Sequence, residues 1–138
     1  MALISGIAHV NLTVPPGTLD HAAEFYGKTL GLTQTPVPQT QRDRLAWFNI
    51  SQSGQQIHIA FGHPDPTPSS RHPCFKIDSP ENLLELRKRV YEHFDRGGDA
   101  APKEADKPGK EDSGEKGAEY PTRFFARDYA GNRLEFSL

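Results

Sequence analysis

The sequence predicts an α+β fold made of two βαβββ modules. Three observations carry this reading. First, residues 54–61 align without a gap on residues 131–138. Both are a glycine followed by a strand of alternating character, and self-similarity of this kind marks an internal duplication. Second, each half opens on a strand that carries a histidine, around His9 in one and His72 in the other, and then passes through one helical stretch. Third, residues 62–70 hold Pro64, Pro66 and Pro68. Such a stretch cannot continue a helix or a central strand, so it reads as the linker between the halves.

Taken in order, residues 7–14 alternate, with Val10, Leu12 and Val14 on one face and His9, Asn11 and Thr13 on the other, as in a half-buried strand. Pro15, Pro16 and Gly17 end it. Thr18 or Asp20 caps a helix that carries Leu19, Ala22, Ala23, Phe25, Tyr26 and Leu30 and stops at Gly31. A short strand is expected at 32–35. Two more follow at 45–50 and 55–61, joined by a turn at 51–54. After the linker the pattern restarts with a strand at 71–78. Ser79 caps the next helix, with Pro80 in its first turn. Leu83, Leu84, Leu86, Val90, Tyr91 and Phe94 form the expected apolar side of that helix, and Gly97 and Gly98 end it. An edge strand at 100–103 is expected, then a solvated mobile loop at 104–118, whose only apolar residues are Ala105 and Ala118. Strands at 122–127 and 133–138 flank a turn at 128–132. Module one thus spans 5–62 and module two 70–138 of a single domain of 138 residues.

Composition excludes several classes of function. The net charge is −2 and the pI about 6.3, which gives no electrostatic basis for binding nucleic acid. No apolar run approaches the ~20 residues that span a bilayer. The N-terminus lacks the basic and apolar regions of a signal peptide, so a cytoplasmic location is expected. Cys74 is the only cysteine, which excludes an intrachain disulfide and a cysteine-built zinc site.

Strand parity then sorts the polar residues. His9, His58, His72 and Glu135 each lie opposite the apolar row of their strand. The apolar rows are expected to pack on the helices, leaving these four to line a concave sheet. Metal-capable side chains at repeat-related positions form a candidate site for one divalent metal ion. A set of N and O ligands suits Zn, Fe, Mn, Co or Ni. His21, His63 and His93 have no repeat partner and read as solvated.

These residues resemble the vicinal oxygen chelate superfamily, which includes glyoxalases, fosfomycin-resistance and bleomycin-resistance proteins, and extradiol dioxygenases. The segments that carry the resemblance are 6–14, 25–32, 56–59 and 128–136. The resemblance implies two βαβββ modules forming a cupped mixed β-sheet with helices on the outer face. It implies metal ligands at His9, His72 and Glu135, with His58 as a fourth ligand or as a catalytic residue beside Glu135. By strand parity and this geometry, Asn11, Thr13, Trp47, Gln56, Cys74 and Arg123 are the expected substrate-binding residues. The implied activity is Lewis-acid polarisation of a vicinal-oxygen small molecule with proton transfer, as in a lyase or isomerase. An Fe(II) extradiol dioxygenase is one alternative. A small-molecule binding or resistance protein without turnover is another. A homodimer, in which modules of two chains complete each cup, is a further implication.

Overall fold

The computed structural model describes residues 2–63, 69–109 and 122–138. The chain divides into two compact units, Met1–His63 and Pro64–Leu138, so the boundary falls in the proline-rich linker. Each unit builds one four-stranded mixed sheet, and both expected βαβββ modules are present.

In the first unit, β1 (His9–Val14), β2 (Thr33–Thr35), β3 (Leu45–Ile50) and β4 (Gln55–Phe61) order as β1-β4-β3-β2. The β1–β4 pair is parallel, and the other pairs are antiparallel. Leu12, Val14, Ala46, Phe48, Ile57 and Ile59 are buried on one face. The helical stretch begins as α1 (Leu19–Ala22) and widens into a π-helix over Ala23–Thr29. Consecutive residues of a wider turn rotate less about the axis. Phe25 and Tyr26, adjacent in sequence, are therefore both fully buried, with their rings edge to face at 5.0 Å. The sequence pattern registers this stretch only as helix, because its apolar spacing fits either form. Gly31 closes the stretch at φ 79°, a conformation open to glycine without strain.

In the second unit, β5 (Cys74–Lys76), β6 (Glu104–Ala105), β7 (Arg123–Arg127) and β8 (Arg133–Ser137) order as β5-β8-β7-β6, with β5–β8 parallel. Helix α2 (Pro80–Arg96) begins where Ser79 accepts a hydrogen bond from the Asn82 N–H, and ends at Gly97 with φ 77°. Its buried residues are Leu83, Arg87, Val90 and His93, whereas Leu84 and Phe94 are exposed. His93 is thus a core residue rather than a solvated one. It continues the 83-87-90 stripe, and that stripe rather than the fuller apolar arc faces the sheet. The edge strand lies at 104–105, later than the expected 100–103. Asp106 anchors it by accepting from the Phe125 N–H at 2.7 Å. Glu104 and Ala105 are therefore strand rather than the start of a loop, and residues 110–118 of the expected loop fall outside the described residues. The expected strand at 71–78 shortens to 74–76, beginning just after Pro73, which has no N–H to donate. Among the described residues, no helix is long and apolar enough to cross a membrane.

Candidate metal centre

The duplication seen in sequence is reproduced in strand register. Asn11 pairs with His58 across the parallel strands of the first unit, and Cys74 pairs with Glu135 in the second. His9 and His72 each stand two residues before those partners. On the antiparallel side Trp47 pairs with His58, and Phe125 pairs with Glu135. The candidates therefore form two equivalent pairs, one per unit, on the sheet face opposite the buried apolar rows.

In the first unit the pair is a ring stack. His58 lies parallel to His9 at 3.9 Å and to Trp47 at 4.6 Å between centroids. Trp47 is thus on the ligand face and not in the core. The Gln56 amide donates to Asn49 Oδ1 at 2.8 Å, which turns Gln56 Oε1 toward His58 Nε2, also at 2.8 Å. A carboxamide oxygen only accepts, so the proton of a neutral His58 sits on Nε2 and the Nδ1 lone pair is the basic position. Burial, and secondarily the neighbouring His9, push the His58 imidazole below its ordinary pKa. Asn11 and Thr13 follow His9 along the same face of β1.

In the second unit the pair is a nitrogen facing an oxygen. His72 Nδ1 donates to the Ser70 carbonyl at 2.6 Å, and His72 Nε2 stands 2.9 Å from Glu135 Oε1. With Nδ1–H committed to a carbonyl, Nε2 is the lone-pair nitrogen of the neutral ring. At 2.9 Å the pair is a hydrogen bond when Nε2 carries a proton; in the neutral ring two electron-pair donors face one point, with the backbone contact that orients ligating histidines already made. This donor set fits a divalent ion. Arg123 approaches the other oxygen of Glu135 at 3.7 Å, and its guanidinium lies 5.3 Å from the Phe125 ring centre. Phe125 also meets His72 edge to face at 5.7 Å. Cys74 is exposed. Among the described residues no group of three or more His, Cys, Asp or Glu side chains gathers in metal-binding geometry; the candidates come as pairs.

Three residues that complete these pairs, Asn49, Ser70 and Phe125, are not singled out by the sequence pattern. Asn49 and Phe125 share a strand face with Trp47 and Arg123 respectively, so strand parity was the available signal. Ser70 contributes only its carbonyl, for which sequence carries no signal.

No protein-family model matches the sequence, nor does any curated protein. Solved structures do match. A glyoxalase family protein from Bacillus anthracis is 28% identical, with 99% of this chain and 96% of that one covered and a TM-score of 0.66. The fosfomycin resistance protein FosX from Listeria monocytogenes is 19% identical over 98% of this chain and 91% of that one, with a TM-score of 0.69. A variant of that FosX, 18% identical over 98% and 90% with a TM-score of 0.69, was solved with Mn(II) and 1S,2S-dihydroxypropylphosphonic acid.

Proposed function

The chain has the fold of the vicinal oxygen chelate superfamily, and from that premise we propose that it is a divalent-metal-dependent enzyme of the glyoxalase-like lyase or isomerase type, acting on a small molecule. The observation that carries the proposal is the convergence of His72 Nε2 and Glu135 Oε1, with His72 oriented from behind by Ser70. His72 and Glu135 are the proposed anchors of the ion. His9 is the proposed third ligand. Mn(II) in a FosX structure of the same fold supports the choice of a divalent ion. The matching structures described above are glyoxalase-family and fosfomycin-resistance proteins, which supports this reading over ring cleavage.

When bound, such an ion supplies a positive centre against which a substrate oxygen gains negative charge. The side chains supply the rest. Arg123 stands 3.7 Å from the oxygen of Glu135 that faces away from His72, which favours Glu135 as a fixed ligand over a base that swings away. His58 carries out proton transfer. It is neutral near pH 7, its proton is parked on Gln56 at Nε2, and Nδ1 is the nitrogen that accepts. Its stacked faces make it a poor fourth ligand and a well-held base. Asn11, Thr13, Gln56 and Trp47 on the first face, and Cys74 and Arg123 on the second, are the proposed substrate contacts.

The test is turnover by protein loaded separately with Mn, Ni, Zn, Co or Fe, against a panel of hemithioacetals, epoxides and catechols. Conversion of a non-catechol substrate, abolished in Glu135→Gln and reduced at least ~100-fold in His58→Gln, is the expected result. Tight metal binding with no turnover of any substrate contradicts it, as does ring cleavage of a catechol.

A further inference from the structure

Beside the His72–Glu135 pair, on the same face of the same unit, Glu104, Arg127 and Arg133 form a row across β6, β7 and β8. Together with Phe125 and Ala126 they line a cavity of about 50 Å³. The charges in this row are unequally satisfied. Arg127 is fully engaged: Nε donates to Glu104 at 3.2 Å, Nη1 to the Gly131 carbonyl at 3.0 Å, and both Nη atoms to the Ser69 carbonyl at 3.3 Å. Glu104 is thereby neutralised. Arg123 is drawn to Glu135. Arg133 differs. Its guanidinium lies over the Phe125 ring at 4.4 Å, and among the described residues no carboxylate pairs with it.

Stacking on an aromatic face leaves the edge of a guanidinium, with its fork of N–H donors, available for a planar two-oxygen acceptor. Arg133 and Glu135 are two residues apart on one strand, so their side chains leave the sheet roughly 7 Å from each other. Phe125 touches both ends, His72 on one side and Arg133 on the other. A compact molecule of a few carbons therefore reaches both.

We propose that the substrate is a small carboxylic acid whose carboxylate binds Arg133 against Phe125 while its remaining oxygens face His72 and Glu135. The charge balance selects a monoanion. Among the described residues of this row only Arg133 lacks a carboxylate partner, so one negative charge is matched and the second charge of a phosphonate or phosphate is not. The metal-facing end of this assignment rests on the function proposed above; the carboxylate end does not.

The test uses the full chain, stripped of metal by chelator, at mildly alkaline pH where inorganic phosphate is a dianion. Sodium acetate and sodium phosphate are titrated separately at constant ionic strength and followed by backbone amide NMR. Acetate is expected to give saturable shifts centred on Phe125, Arg127 and Arg133, and phosphate to bind more weakly. In Arg133→Met, which keeps an apolar stem over Phe125, acetate affinity should fall about tenfold or more. Arg133→Lys should restore part of it, and Arg44→Gln, an exposed arginine of the other unit, should change nothing. Absence of saturable acetate binding by the folded wild type overturns the proposal. So does equal affinity in a folded Arg133→Met or Arg133→Lys protein, and so does phosphate binding tighter than acetate through Arg133. Because no metal is present, a chain that takes up no metal yet binds acetate through Arg133 refutes the metalloenzyme reading and leaves the carboxylate site standing.

Discussion

His58 shows how neighbours assign a residue its chemistry. Two flat rings cover its faces, and one amide, itself oriented by Asn49, takes its Nε2–H. Burial lowers its pKa, so its contribution to stability has a definite sign. Well above ~6.5 the ring is neutral in the folded and unfolded chain alike and adds no pH dependence. As pH falls below that value, the unfolded chain takes up the proton first and folding stability drops. The loss levels off once pH passes the lower folded value. Urea midpoints of metal-free protein measured from pH ~8 to ~5 should therefore fall on the acid side. The fall should be shallower in His58→Gln, and identical curves would remove the burial argument. Gln56→Leu deletes two half-buried hydrogen bonds and should cost about 1 kcal/mol. It should also free the Nε2 proton of His58, which a shift in the ring tautomer by nitrogen NMR would report; an unchanged tautomer would show that Gln56 does not set it.

At the scale of elements, the turn before β8 determines where Glu135 stands. Asp128 is fully buried and accepts from the Ala130 and Asn132 backbone N–H groups at 2.9 Å each, and from the Asn132 side chain at 3.0 Å. Gly131 in the same turn has φ 93°. Asp128→Ala leaves those donors without their acceptor and should destabilise the chain by about 2 kcal/mol or more in urea unfolding. A loss comparable to that of an exposed surface substitution would contradict the role given to this turn. The sequence was most informative about elements of this kind. The strands at 45–50 and 55–61, the Ser79 cap and the glycine stops at 31 and 97 follow from alternation and turn chemistry, and the structure has them at those positions. The π-helix, the buried face of α2 and the late edge strand were not legible. Each depends on tertiary contact: the packing of Tyr26 against Phe48, the burial of Arg87 and His93, and the bond between Asp106 and the Phe125 N–H.

At the scale of the whole molecule, the duplication gives each unit a histidine two residues ahead of a metal-capable partner across a parallel strand pair. The units have diverged in what they do with that arrangement. The first holds its two histidines face to face, which suits a base; the second aims a nitrogen and a carboxylate at one another, which suits a cation. Strand parity and the repeat placed His9, His58 and Glu135, which lie in strands, whereas His72 stands before β5 and meets Glu135 from outside it. The difference between the pairs was hidden, because it lies in side-chain partners at Gln56, Asn49 and Ser70. The most direct test of this division of labour is metal content. Protein purified without chelator is analysed beside His72→Ala, Glu135→Ala and His58→Gln, with folding checked by circular dichroism. The account predicts about one divalent ion per chain in the wild type and in His58→Gln, and a loss of at least tenfold in metal affinity in His72→Ala and Glu135→Ala. Equal metal content in the wild type and the folded His72→Ala and Glu135→Ala proteins would contradict it.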